Sequence, residues 1–230
     1  MTGTIYIMAD GRIEPSDAPV RRAGNIYTLT DNIVSEADGI VVKRNNIVID
    51  GAGYTIRGTG DPSYTGICLE LRTNVIIKNV KVKNFGCGIW LNHSSNCIIR
   101  GNSIENNKGG ILISDSSNNS IVGNNIKENK EYGILLEYSS KGNVIHHNNF
   151  INNGKQVYLE EESLGVYNVW DNGYPSGGNY WSDYRGVDEK SGPNQDQPGS
   201  DGVGDTPYII DEKNRDRYPL ITPILTSRPV

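Results

Sequence analysis

Gly66-Ile67-Cys68-Leu69, Gly88-Ile89-Trp90-Leu91, Gly110-Ile111-Leu112-Ile113 and Gly133-Ile134-Leu135-Leu136 open four successive units, spaced by 22, 22 and 23 residues. A second signature follows inside the units: Ile99-Arg100-Gly101-Asn102-Ser103-Ile104, Ile121-Val122-Gly123-Asn124-Asn125-Ile126 and Ile145-His146-His147-Asn148-Asn149-Phe150. Similarity at a fixed short period marks a repeat architecture. Apolar residues alternate (Ile67, Leu69; Ile89, Leu91; Ile111, Ile113; Ile134, Leu136), which is the period of a strand and not of a helix. Gly and Asn interrupt every few residues, as turns require. Each unit therefore reads as two or three short strands joined by tight turns, one coil of a parallel β-helix. A leucine-rich repeat is the rival at this period, but Leu is scarce here.

Coils that stack place equivalent residues one above another, about 4.8 Å apart. Asn102, Asn124 and Asn148 form one such column, and Asn107, Asn129 and Asn153 a second. Asn tolerates the left-handed backbone of a turn, and stacked amides can bond along the axis. Each coil points only a few aliphatics inward, so 36% hydrophobic residues with 27 glycines still suffice for a core.

The 230 residues divide into a cap with a first irregular coil (1–38), the coils (39–167) and a capping tail (168–230). Capping is required because an open coil presents unpaired strand edges. In the tail, Trp170, Tyr174, Tyr180, Trp181 and Tyr184 are expected to close the last coil. The net charge of −5 argues against nucleic acid and anionic membrane surfaces as partners. No apolar run reaches membrane-spanning length, and no signal peptide is visible after Met1. Cys68, Cys87 and Cys97 lack metal-ligand spacing and read as small buried hydrophobes.

The segment Ile49-Asp50-Gly51-Ala52-Gly53-Tyr54-Thr55-Ile56 resembles the opening coil of the pectin-lyase-like right-handed β-helices. Ser116-Ser117-Asn118-Asn119-Ser120-Ile121 and Gly123-Asn124-Asn125-Ile126 resemble the carbohydrate-binding and sugar-hydrolysis repeats of that superfamily. Within it the chain is similar to NosD-like proteins, common on archaeal cell surfaces. The tail strings 170–184, 199–208 and 216–220 resemble the endings of such surface proteins. The resemblance implies an all-β, single-stranded right-handed parallel β-helix of about five to six coils, secreted or at the cell surface. It does not imply one activity, because this fold hosts lyases, hydrolases, epimerases, adhesins and inert scaffolds.

Three functional readings follow. The leading one is a non-catalytic module that binds carbohydrate or a cell-surface polymer, or serves as a scaffold. On the strand opening each unit, Cys68, Trp90, Leu112 and Leu135 point outward, beside the columns Glu70, Asn92, Ser114, Glu137 and Leu71, His93, Asp115, Tyr138. Trp90 is placed to stack on a sugar ring, with Glu70, Asn92, His93, Asp115, Glu137 and Tyr138 bonding hydroxyls. The bland alternative is that a terminal segment packs across this stripe. The second reading is a polysaccharide-active enzyme: Asp115 and Glu137 as a carboxylate pair, or Lys78 and Arg100 as lyase bases. The third is a protein assembly unit.

Two metal expectations complete the reading. Asp201-Gly202-Val203-Gly204-Asp205 places two carboxylates around a carbonyl, with Asp188 and Asp196 (or Asp183 and Asn194) nearby, a set suited to calcium. Copper is not expected, although the relative that names the group helps mature a copper enzyme. The His, Met and Cys donors are few, and the adjacent His146 and His147 are expected to point to opposite sides of the chain.

Overall fold

The structure, a computed structural model, describes residues 3–163 and 165–225. Each turn of chain lays down three strands, and equivalent strands of successive turns pair in parallel to give three sheets. The first sheet carries the repeat signature. It stacks Ile5–Ile7, Ile40–Val42, Thr65–Glu70, Cys87–Asn92, Gly109–Ser114, Tyr132–Glu137 and Val157–Leu159. The second includes Ile26–Leu29, Ile47–Asp50, Val75–Lys78, Ile98–Arg100, Ser120–Val122 and Val144–His146. The third runs from Ile33–Val34 through Thr55–Arg57, Lys81–Lys83, Ser103–Glu105, Asn125–Lys127 and Asn149–Ile151 to Tyr180–Trp181. The result is a parallel β-helix of about 6 turns.

Register follows the repeat. Ile67, Ile89, Ile111 and Ile134 lie in line, as do Leu69, Leu91, Ile113 and Leu136, and all eight are fully buried. The unit glycines permit the close stacking. A Cβ on Gly110 would lie 2.3 Å from the Gly133 carbonyl oxygen, so no other residue fits without moving the coil below.

The asparagine columns are hydrogen-bonded ladders. In the first, Oδ1 of Asn124 accepts from the backbone N–H of Asn102 (3.0 Å) and from its Nδ2 (3.0 Å). Asn148 does the same for Asn124, and Asn179 for Asn148. Asn107, Asn129 and Asn153 form the second ladder. A third, Asn119–Asn143–Asn168–Asn214, was not separable by motif, because its first two members lie in Ser/Asn-rich corners. The left-handed backbone falls one residue earlier than the sequence reading placed it. Gly101, Gly123 and His147 (φ 63°, 67° and 54°) make the turn, which leaves the following Asn free to bridge coils with its side chain.

Both ends are closed. At the N-terminal end, Val20–Ala23 pairs antiparallel with Ile26–Leu29, and its exposed Arg21 and Arg22 blunt the outer edge. At the other end the tail aromatics behave as their composition implies. Trp170 and Trp181 are each 1% exposed, and Trp181 is sandwiched between Phe150 (4.4 Å) and Tyr208 (4.2 Å). The strand Arg215–Asp216 then clips into two ladders at once. Asn214 accepts from Asn168 N–H, and the buried Asp216 carboxylate accepts from Asn179 N–H (2.7 Å) and Trp181 Nε1–H (2.9 Å).

Candidate functional site

The first sheet presents the outward stripe in register. Cys68, Trp90 and Leu112 align, followed by Leu135 and Tyr158, and Val41 and Tyr6 extend the row toward the N-terminal end. Glu70, Asn92, Ser114 and Glu137 align beside it. Leu71, His93, Asp115 and Tyr138 sit at the next corner, all with positive φ (57°, 48°, 45° and 54°), so their side chains splay outward from the turn. Within this corner Asn92 Oδ1 accepts from His93 Nδ1 (2.7 Å), which leaves Nε2 facing Asp115 Oδ2 at 3.5 Å. Among the described residues, Trp90 Nε1 is buried without a hydrogen-bond partner, an orphaned donor on this face.

The described hydrogen bonds of the tail do not reach the stripe. They run to the last coil and to Asn149, whose side chain bonds Ile224 at both its N–H and its C=O, on the third sheet. The catalytic candidates are divided between faces. Asp115 and Glu137 belong to the first sheet and its corner. Lys78 and Arg100 align on the second, where Lys78 is held by Asp50 at 2.7 Å. Each pair, an alternative to the other, keeps to its own face.

Sequence reasoning missed the C-terminal end of the stripe. Lys130, Glu131, Tyr132, Leu135, Gly154, Lys155, Tyr158 and Glu160 surround an open groove of about 550 Å³. Tyr132 folds over Gly109, whose missing Cβ makes room for the ring. Lys155 Nζ lies 4.2 Å from the Tyr158 ring centre. Tyr158 belongs to the column of Trp90, but its coil lacks the Gly-Ile signature, so only the strand pairing reveals its place. The thiols are inert in this setting: burial pushes Cys68 and Cys87 up to about 12.

The acidic loop is knotted by its own backbone. Asp188 accepts from Ser200 Oγ, Asp201 N–H and Gly202 N–H; Asp201 accepts from Gly192 N–H, Gln195 Nε2 and Val203 N–H. Asp205 accepts from Glu189 and Lys190 N–H, while Asp196 stands exposed outside the knot. Val203 is buried, and its N–H is the one bonded to Asp201. Carboxylates facing N–H donors present few lone pairs to a cation. No group of three or more His, Cys, Asp or Glu able to hold a metal exists among the described residues.

The two adjacent histidines depart from expectation. His146 ends its strand, and His147 enters the left-handed region (φ 54°), which swings its ring back instead of across. The two Nδ1 atoms come to 2.8 Å, with the rings edge-on at 83°. His147 Nε2 lies 2.7 Å from the Ser176 carbonyl and so carries the proton there. Burial, then the neighbouring His147, hold His146 below the usual imidazole range.

These features define a class, a capped parallel β-helix with laddered asparagines and a flanked apolar face. Residues 14–186 match the NosD family, described as periplasmic copper-binding protein, and the chain belongs to that family. No curated protein and no solved structure matches it. The family match overturns the expectation that copper is foreign to this chain. Separately, His146 and His147 do not point apart as expected, because strand alternation does not carry through a position where the backbone turns left-handed. They meet at 2.8 Å as a hydrogen-bonded pair, two donors only, and the described residues hold no group of three or more metal-binding side chains.

Proposed function

We propose that this chain is a non-catalytic β-helix module of the periplasm or cell surface that binds carbohydrate along the outward face of its first sheet. The observation that carries the reading is the stripe itself. An apolar row with Trp90 at its centre and Tyr158 at its end is flanked in register by Glu70, Asn92, His93, Asp115, Glu137 and Tyr138. Cys68 and Leu135 are buried, while Trp90, Leu112 and Tyr158 keep exposed surface for ring stacking, and the flanking groups offer hydroxyl partners at the spacing of the coils. The family's description places its members in the periplasm, and no helix among the described residues is long and apolar enough to cross a membrane. The test is a glycan array followed by calorimetry. Trp90→Ala is expected to weaken binding of the selected glycan at least tenfold while the coil still melts cooperatively. Binding indifferent to Trp90→Ala, or no binding to any glycan, refutes the proposal.

A further inference from the structure

We infer that Arg22 and Arg44 form an oxyanion site at the N-terminal end of the β-helix, taking a phosphate or sulfate group that is either free or borne on a saccharide polymer. Arg22 lies on the capping strand Val20–Ala23, and Arg44 at the corner between Ile40–Val42 and Ile47–Asp50. The site uses none of the residues assigned to the sugar face.

Two guanidinium groups meet at one point. A Cβ on Gly11 would lie 2.3 Å from Arg44 Nη1 and 2.4 Å from Arg22 Nη1, so the two nitrogens stand no farther apart than the sum of those distances, 4.7 Å. Gly11 holds φ 90°, and both charges aim into the room its missing side chain leaves. Like charges this close repel unless an anion lies between them. The acids of this turn do not serve, because Arg12 takes both, Asp10 at 2.6 Å and Glu14 at 2.9 Å. Among the described residues Arg22 and Arg44 have no carboxylate partner. Their hydrogen bonds go to neutral oxygens, from Arg22 Nε to the Gly24 carbonyl (2.9 Å) and from Arg44 Nη2 to Asn25 Oδ1 (3.3 Å). Those bonds orient each fork and leave its Nη1 for a ligand. The floor is fixed as well. The buried Tyr27 donates its hydroxyl to the Gly11 carbonyl at 2.9 Å, Gly11 N–H bonds the Met8 carbonyl at 2.8 Å, and Arg22 Cζ lies 5.8 Å from the Tyr27 ring centre. Blunting a sheet edge accounts for charge on the outer strand, but not for Arg44, from a different corner, aimed at the same point. Arginine forks hold phosphate-type oxygens by charge-assisted bonds of about 2.7–2.9 Å, and one tetrahedral group spans two donors at this separation. An open groove of about 570 Å³, lined by Gly11, Arg12, Ile13, Glu14, Ser16 and Arg22, leads away from the spot and gives room for the molecule that carries the anion. The chain as a whole is acidic, at −5, yet this corner sets three arginines against two carboxylates.

Arg22→Gln and Arg44→Gln remove one charge each without emptying the core, since Arg22 is exposed and Arg44 half-buried, and thermal melting checks that both fold. Arg21→Gln is the matched control. It removes the same charge from the adjacent residue, which strand alternation turns to the opposite face. The experiment titrates inorganic phosphate, inorganic sulfate and dextran sulfate into the full chain at low salt, read by calorimetry. At least one of the three is expected to bind, weakened at least fivefold by Arg22→Gln and by Arg44→Gln and unchanged by Arg21→Gln. Tighter binding of dextran sulfate per sulfate group than of free sulfate assigns the site to a polymer-borne anion, and equal or weaker binding assigns it to the free ion. No binding of any of the three by the wild-type chain, binding indifferent to either Arg22→Gln or Arg44→Gln, or an equal loss on Arg21→Gln overturns the site.

Discussion

Removing the Asp216 carboxylate should release the tail from the coil stack. Asp216 sits where the next asparagine of the Asn102–Asn124–Asn148–Asn179 ladder would be, and it is fully buried. It accepts from Asn179 N–H, Trp181 Nε1–H and, on its other oxygen, Tyr218 N–H at 3.1 Å. Asp216→Ala leaves those three donors unsatisfied. At about 1–3 kcal/mol each, the loss is roughly 3–9 kcal/mol, a large share of the ~5–15 kcal/mol that holds a domain folded. For a chain of this size the melting point should fall by at least about 6 °C. Asp216→Asn keeps one oxygen in the ladder and should cost less. It also isolates a pH effect. Burial raises the Asp216 carboxyl to about 7, against the pull of Asn179 N–H, Trp181 and Tyr218 N–H and with a further push from Asp171. A carboxyl raised on folding binds its proton more tightly in the folded state. Its contribution is therefore fully present below the unfolded value near pH 4 and lost as pH rises to about 7, on the order of 4 kcal/mol in total. The stability of wild type relative to Asp216→Asn should shrink across that window, measured by urea melts at each pH. An Asp216→Ala protein melting within 2 °C of wild type, or a difference curve flat in pH, would refute the account of the latch.

Other perturbations follow from the same geometry. Gly110→Ala should cost roughly 1–3 kcal/mol by overpacking, because its Cβ meets the Gly133 carbonyl at 2.3 Å; denaturant melts measure it. Asn124→Ala strips acceptors from Asn102 N–H and Nδ2 and a donor from the Ile99 carbonyl, a loss of about 2 kcal/mol or more. Hydrogen exchange at the Asn102 amide should accelerate correspondingly. Glu105 is held below the usual carboxylate range by Lys81, Ser103 and Lys127, although burial, the largest influence, pushes it up. Its ion pairs at 2.9 and 3.4 Å therefore stabilise above about pH 4.3 and fade as pH falls through the lowered value. Glu105→Gln should destabilise the protein at pH 7 and be nearly neutral at pH 3.

Much of this was legible without coordinates. The period placed Ile67, Ile89, Ile111 and Ile134 in one buried line and Trp90 in an outward row, and the paired strands agree residue by residue. Arithmetic suffices there because identical units stack at a constant rise, so sequence spacing is spatial position. Composition likewise announced that the tail aromatics would close the stack, since a solenoid end must be covered.

What only the tertiary structure decided lies where the repeat is broken or the chain returns to itself. His146 and His147 converge because one φ angle leaves the strand region, a local choice that no alternation rule records. Tyr158 joins the row of Trp90 through pairing, without the signature that marked the earlier coils. Asp216 and Asn214 complete ladders whose preceding members lie 37 and 46 residues upstream. A repeat writes its neighbour contacts into the sequence as a period, whereas closure is made once, over a long span, and leaves no periodic trace.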